Sequence, residues 1–184
     1  MLAIKTSRIV IRNFVINDWK DLQEIFINFK SSEYAIYDHH FPNSDDEVKE
    51  ITERFANGNK FFAVCLLTHN KVMGYVCLNG EDDKELDIGY CFNDDYQGSG
   101  YATEACIAVT NYAFNTLHLE RLTAGTAILN IPSCNLLDRL GFCKTSESNH
   151  SFAKTPEGNP IEFIGASFLL EKANWMKKDY SHIK

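Results

Sequence analysis

The chain has 184 residues and a formal net charge of −7, with 45% hydrophobic and 23% charged residues. That balance is globular and excludes wholesale disorder, while the acidic excess excludes a sequence-independent grip on nucleic acid, which needs clustered Lys and Arg against phosphate. No apolar run approaches the roughly 20 residues of a membrane helix, and polar residues interrupt positions 1–12 where a signal peptide would be apolar, so a soluble, cytoplasmic protein is expected.

In chain order, residues 8–14 alternate apolar and polar positions and predict a first strand. Asn17 and Asp18 offer caps for a helix whose apolar face is Trp19, Leu22, Ile25, Phe26 and Phe29. Residues 31–43 lack periodicity. Ser44 with Glu47 three residues on reads as a capping box opening a second helix. Residues 60–67 and 71–78 flank the turn Thr68-His69-Asn70 and predict a hairpin, and Glu85 to Phe92 predicts a third β run. A helix carrying Ala105, Val109, Tyr112 and Phe114 follows, then a strand over 122–128, a short helix over 132–140, and strands opening at 142 and spanning 161–170. The order β-α-α-β-β-β-α-β-α-β-β is that of a mixed α/β layered domain, antiparallel early and with a helical crossover later. No linker or repeat divides it, so residues 1–176 are expected to form one domain and 177–184 a frayed tail.

The six cysteines, Cys65, Cys77, Cys91, Cys106, Cys134 and Cys143, stand singly in apolar stretches. None makes a C-x-x-C pair or lies at zinc-like spacing from a histidine. Packed free thiols are expected, with no disulfide and no metal.

The stretch that carries chemistry is Asp87-Ile88-Gly89-Tyr90-Cys91-Phe92, then Gln97-Gly98-Ser99-Gly100-Tyr101-Ala102-Thr103. It is strand, glycine loop, helix. Gly98 and Gly100 remove side chains where the backbone turns, and the following helix start adds unpaired N–H donors and the positive end of its dipole. Together these suit a pyrophosphate. A dinucleotide fold competes, since Gly98-Ser99-Gly100 begins a G-x-G-x-x pattern. It fits less well, because Asn93 to Gln97 intervene after the strand and the later strand ends in Ala127-Ile128-Leu129 without an acid. No Gly-Lys-Ser/Thr follows, which excludes a nucleoside-triphosphate loop.

Gln97-Gly98-Ser99-Gly100-Tyr101-Ala102 resembles the Q/R-x-x-G-x-G/A signature of the GNAT acetyltransferase superfamily. Asn130, Ser133, Leu136 and Leu140-Gly141-Phe142 resemble its second block, and Ser7 to Arg12 with Phe168 to Trp175 resemble the branch containing ribosomal-protein N-terminal acetyltransferases. The resemblance implies a sheet splayed at the cofactor site and acetyl-CoA as co-substrate. It implies direct attack by an amine in a ternary complex, the acceptor being a small molecule or a protein N-terminus, and a possible homodimer. The pantetheine arm would lie along the third β run, opened there by a bulge, with backbone donors at Tyr90, Cys91 and Phe92. Gln97, Gly98, Ser99, Gly100, Tyr101, Ala102 and Thr103 would hold the pyrophosphate, and Asn130 the pantetheine amide or else only a helix cap.

Two departures bear on the chemistry. Ser99 stands where a basic residue is common. Leu137 stands where many members carry a tyrosine that protonates the thiolate, a task that the branch gives to the serine here numbered Ser133; capping is its alternative. Asp87 is the first candidate base if it faces the reaction centre rather than solvent, and Glu104 is a second that could equally complement the helix dipole. Tyr34, Tyr37, Asp38 and His39, with His40 and Phe41, compose a loop suited to an ammonium and its apolar stem, the alternative being that its aromatics cap the core. A non-catalytic acyl-CoA sensor is the alternative to an enzyme.

Overall fold

A computed structural model describes residues 2–39, 41–178 and 180. The run Val72–Asn79 is apolar at nearly every position because both faces of that strand are covered. It forms β4 of a sheet that also contains β1 (Ala3–Lys5), β2 (Ile9–Asn13), β3 (Phe61–Leu66), β5 (Glu85–Phe92), β6 (Arg121–Ala127), β7 (Cys143–Lys154) and β8 (Pro160–Glu171). The order across the sheet is β1-β2-β3-β4-β5-β6-β8-β7. Every pairing is antiparallel except β5 with β6. This is the expected mixed α/β architecture, with a mostly antiparallel open sheet flanked by helices.

Period-two alternation divides the strands between two cores. One face packs Ala63, Cys65, Tyr75 and Cys77 under α1 (Trp19–Ser31) and α2 (Asp45–Asn57), through Leu22, Ile25, Phe26 and Val48. The other packs Phe62, Val64, Val76 and Ile88 under α3 (Tyr101–Asn115) and α4 (Ile131–Leu140), through Val109, Phe114 and Leu137. A final turn of helix, α5 (Lys172–Trp175), buries Trp175 against the second core.

Several local expectations need correction. Asp18 does not cap α1. It accepts from Val15 N–H at 2.8 Å and takes both Arg12 amino groups, at 2.7 and 2.9 Å, closing the turn that leads into the helix. Ser44 does precede α2, but its hydroxyl donates to the Glu47 carboxylate instead of accepting from the helix backbone. The tail is not wholly frayed: the Tyr180 ring stacks on Trp175 at 3.8 Å and its hydroxyl donates to the Leu140 carbonyl at 2.7 Å, while 181–184 lie outside the described residues. Among the cysteines, Cys143 is exposed rather than packed. No helix among the described residues is long and apolar enough to cross a membrane.

The feature that makes the site is a parting of β5 from β6. These strands pair only from Glu85↔Arg121 to Asp87↔Thr123. Beyond that point β6 stays with β8, from Arg121↔Glu171 to Ala127↔Gly165, while β5 stays with β4 as far as Gly74↔Phe92. Each strand follows the twist of its continuous antiparallel partner, so the two diverge. The expected bulge in β5 is absent, because its register with β4 runs without a shift. Divergence of the strands opens the sheet instead.

Candidate active site

The gap widens into a cleft of about 710 Å³, lined from Phe29 and Tyr34 on one side to Asn130 and Arg139 on the other. At its mouth Gly98 and Gly100 have φ of +71° and +81°, which L side chains rarely adopt. A Cβ on Gly98 would meet nothing within 4 Å, so the loop surface is open. The first backbone bond of α3 runs from Glu104 N–H to Gly100 O at 3.0 Å. The N–H groups of residues 98–103 have no described acceptor. They and the helix dipole make an anion cradle whose donors are main-chain atoms.

Side chains around this loop brace it. Gln97 donates to the Phe92 carbonyl at 3.1 Å and to Asp94 Oδ1 at 2.6 Å, so its amide N–H groups are spent on the loop. Arg8 donates to the Ser99 carbonyl at 2.9 Å and to Glu104 Oε2 at 2.7 Å, and lies 4.5 Å from the Tyr101 ring centroid. A guanidinium from the residue just before β2 therefore adjoins the position where Ser99 supplies no charge. Glu104 accepts from Thr6 at 2.6 Å as well, and these bonds outweigh the effect of burial to hold its carboxyl below the usual value. Fully engaged outside the cleft, Glu104 is not placed to act as a base.

Along β5 the donors alternate. Asn93 N–H donates to Met73 O at 2.9 Å, and the register with β4 makes the odd-numbered residues bond to that strand. Tyr90 and Phe92 therefore direct their N–H groups into the gap. Cys91 does not; its N–H belongs to the β4 ladder, although the residue lines the cleft. Burial holds the Cys77 and Cys91 thiols up to about 12, so both stay protonated near neutral pH.

The start of α4 faces Tyr90 across the gap. Asn130 Oδ1 accepts from Ser133 N–H at 3.2 Å, so Asn130 is the helix cap; its Nδ2 has no described acceptor. Ser133 caps nothing: its hydroxyl lies 2.9 Å from the Tyr90 hydroxyl. Leu137 is buried in the core below. Asp87, at the point where the strands part, lines the cleft and is half-buried. Burial raises its carboxyl above the usual value, opposed by a 3.2 Å hydrogen bond from Thr123 Oγ1.

The opposite wall combines two distant segments. Tyr34, Tyr37 and Asp38 line the cleft. His39 does not line it but packs 4.4 Å from Phe152, and His40 lies outside the described residues. Phe41 stacks at 4.7 Å on the core residue Phe26, so it is also part of the core cap. The sequence reading missed the second segment, the β7–β8 hairpin, which supplies His150, Phe152 and Phe163. Tyr37 lies 5.2 Å from Phe163, which stacks at 5.8 Å with His150. A Cβ at Gly165 would come within 2.6 Å of the His150 ring. That glycine inside a strand was the legible sign of a close approach. The charged residues of the whole lining are Asp38, Asp87, Asp94 and Arg139, an excess of carboxylates.

The sequence profile described as "Acetyltransferase (GNAT) domain" matches residues 8–143. The uncharacterized N-acetyltransferase YnaD of Bacillus subtilis (strain 168) is 32% identical over 145 residues, 76% of this chain and 82% of that protein. Among solved structures, a GNAT-family acetyltransferase from Bacillus anthracis superposes with a TM-score of 0.78 at 23% identity, covering 94% of this chain and 99% of its own. A ribosomal-protein-S5-alanine acetyltransferase from Vibrio fischeri superposes at 0.77 and 18% identity, covering 95% and 99%.

Proposed function

This chain belongs to the GNAT acetyltransferase family, and we propose that it moves an acetyl group from acetyl-CoA to a primary amine by direct attack in a ternary complex. The observation that carries this reading is the row of N–H groups over residues 98–103, none with a described acceptor, at the mouth of a parted sheet. The cradle fits a pyrophosphate, and the open surface at Gly98 leaves room for one. When bound, acetyl-CoA supplies an acyl group activated as a thioester.

The chain's own residues do the rest. Main-chain donors of Tyr90 and Phe92 face the gap and stabilise negative charge developing on the acyl oxygen or hold the pantetheine amides. Asn130 Nδ2 is free to join them. Asp87 stands at the parting of the strands and accepts, directly or through water, the proton that the acceptor ammonium must lose before its free amine attacks. The Ser133 hydroxyl meets the departing sulfur. With the Cys77 and Cys91 thiols held up to about 12, attack by a protein thiolate is disfavoured, which supports direct transfer over an acyl-cysteine.

The acceptor enters between Tyr34, Tyr37 and Asp38 on one side and Phe152 and Phe163 on the other. Rings hold an alkyl stem and attract a cation by their faces, and the carboxylates favour an ammonium. Both a protein N-terminus and a small amine meet that description. The resemblance to the ribosomal-protein branch favours the former. Calorimetry with acetyl-CoA, then thiol release over N-terminal peptides, alkylamines and amino acids, tests the reading. No heat with acetyl-CoA sinks it, and heat without release on any amine makes the protein a binding module.

Tyr37→Ala and Asp38→Asn are each expected to raise the acceptor KM about tenfold, the loss of roughly one cation-ring or charge contact, while the acetyl-CoA dissociation constant stays the same. An acceptor KM unchanged in both variants removes this loop from the site.

A further inference from the structure

Tyr90 contributes more to the cleft than a main-chain donor. Its ring packs against the core under α3 and α4, and its hydroxyl ends 2.9 Å from Ser133 Oγ and 3.4 Å from the Ser133 carbonyl. Ser133 N–H is already taken by Asn130 Oδ1. The serine hydroxyl has one hydrogen, so the direction of its bond to Tyr90 decides whether that hydrogen is free. A phenol is the stronger acid and the better donor of the two. Burial, the largest influence on Tyr90, pushes its phenol up, and the bond to Ser133 only partly offsets this. Tyr90 therefore stays protonated through the neutral range and keeps a hydrogen to give.

We propose that Tyr90 is a positioning residue, whose hydroxyl donates to Ser133 Oγ and so turns the serine hydrogen into the cleft toward the leaving sulfur. This rests on the role given to Ser133 in the reading above. A hydrogen bond accepted by Oγ also polarises the serine O–H, making it a better donor as charge grows on the sulfur. Leu137 leaves no hydroxyl one turn further along α4, so the pair Tyr90–Ser133 delivers from two elements what a single tyrosine there would deliver from one.

A double-mutant cycle tests it with Tyr90→Phe, Ser133→Ala and the double variant. Tyr90→Phe keeps the ring and its packing, and its melting temperature is expected within a few degrees of the parent. Ser133→Ala is expected to lower kcat about 10- to 1,000-fold and Tyr90→Phe about tenfold, with acetyl-CoA affinity unchanged in both. In the Ser133→Ala background, Tyr90→Phe is expected to change kcat less than twofold, since there is no longer a hydroxyl to orient. An equal loss from Tyr90→Phe in both backgrounds overturns the proposal, because it means Tyr90 acts independently of Ser133. So does an unchanged kcat in Tyr90→Phe. Acetyl transfer that continues at the parent rate in Ser133→Ala removes both residues from the chemistry while leaving the acetyltransferase reading intact, whereas absence of transfer in the parent protein overturns that reading itself.

Discussion

Gly100→Val is expected to abolish acetyl-CoA binding in a protein that still folds. Gly100 holds φ of +81° immediately before α3, and its carbonyl accepts the first helical bond from Glu104. A β-branched residue there costs about 1–3 kcal/mol in backbone strain, less than the total stability of about 5–15 kcal/mol typical of a domain. The strain relaxes most easily by rotating the peptides around residue 100. That rotation turns the N–H groups of residues 98–103 away from a common point. A phosphate held by several donors then loses them together, so the dissociation constant is expected to rise by at least about 100-fold, the loss of two or three charge-assisted bonds. Gly98→Ala is the control. Its Cβ meets nothing within 4 Å, so only the φ of +71° is penalised and a smaller loss is expected. Calorimetry and thermal melts on both variants decide it. Unchanged affinity in folded Gly100→Val would remove the glycine loop from the binding site.

What the sequence made legible is what is written locally. The third β run appears with the boundaries Glu85–Phe92, and α3 begins at Tyr101 after the glycine loop, because period and left-handed glycine are properties of neighbouring residues. The opening of the sheet was expected but its cause was not. A bulge would lie within one strand, whereas the parting comes from β6 being held by β8, some forty residues later in the chain. Caps were the least legible feature. Asp18, Ser44 and Asn130 all have the right composition, but Asp18 is drawn to Arg12, Ser44 to Glu47, and only Asn130 caps its helix. The cleft wall opposite α4 was half legible. Tyr34 to Asp38 stood out as an aromatic, acidic loop without periodicity, but His150, Phe152 and Phe163 join it only through the hairpin's position in the sheet. Tyr90 was read for its backbone, since alternation says which face its ring takes but not that Ser133 waits there.

Asp87→Asn is expected to move stability and activity in opposite directions. Burial raises the Asp87 carboxyl above its ordinary value of 3.8, and the Thr123 hydroxyl offsets only part of that. The folded protein thus binds this proton more tightly than the unfolded chain does. Between the unfolded and folded values the folded state holds more protons, so stability falls as pH rises through that window. At neutral pH the native carboxylate carries the whole penalty; below about 3.8 both states are protonated and the penalty vanishes. Asparagine carries no such charge and can still accept from Thr123. The variant should therefore melt higher than the parent at pH 7, and the difference should shrink toward zero in acid. If Asp87 takes the ammonium proton, kcat/KM should fall by about 10²- to 10⁴-fold in the same variant, and the acid limb contributed by this group should disappear from its pH profile. A higher melting temperature with activity intact would leave Asp87 as a strained cleft residue and not the base. A lower melting temperature at pH 7 would contradict the burial argument, because it would mean that the carboxylate stabilises the fold through partners other than Thr123.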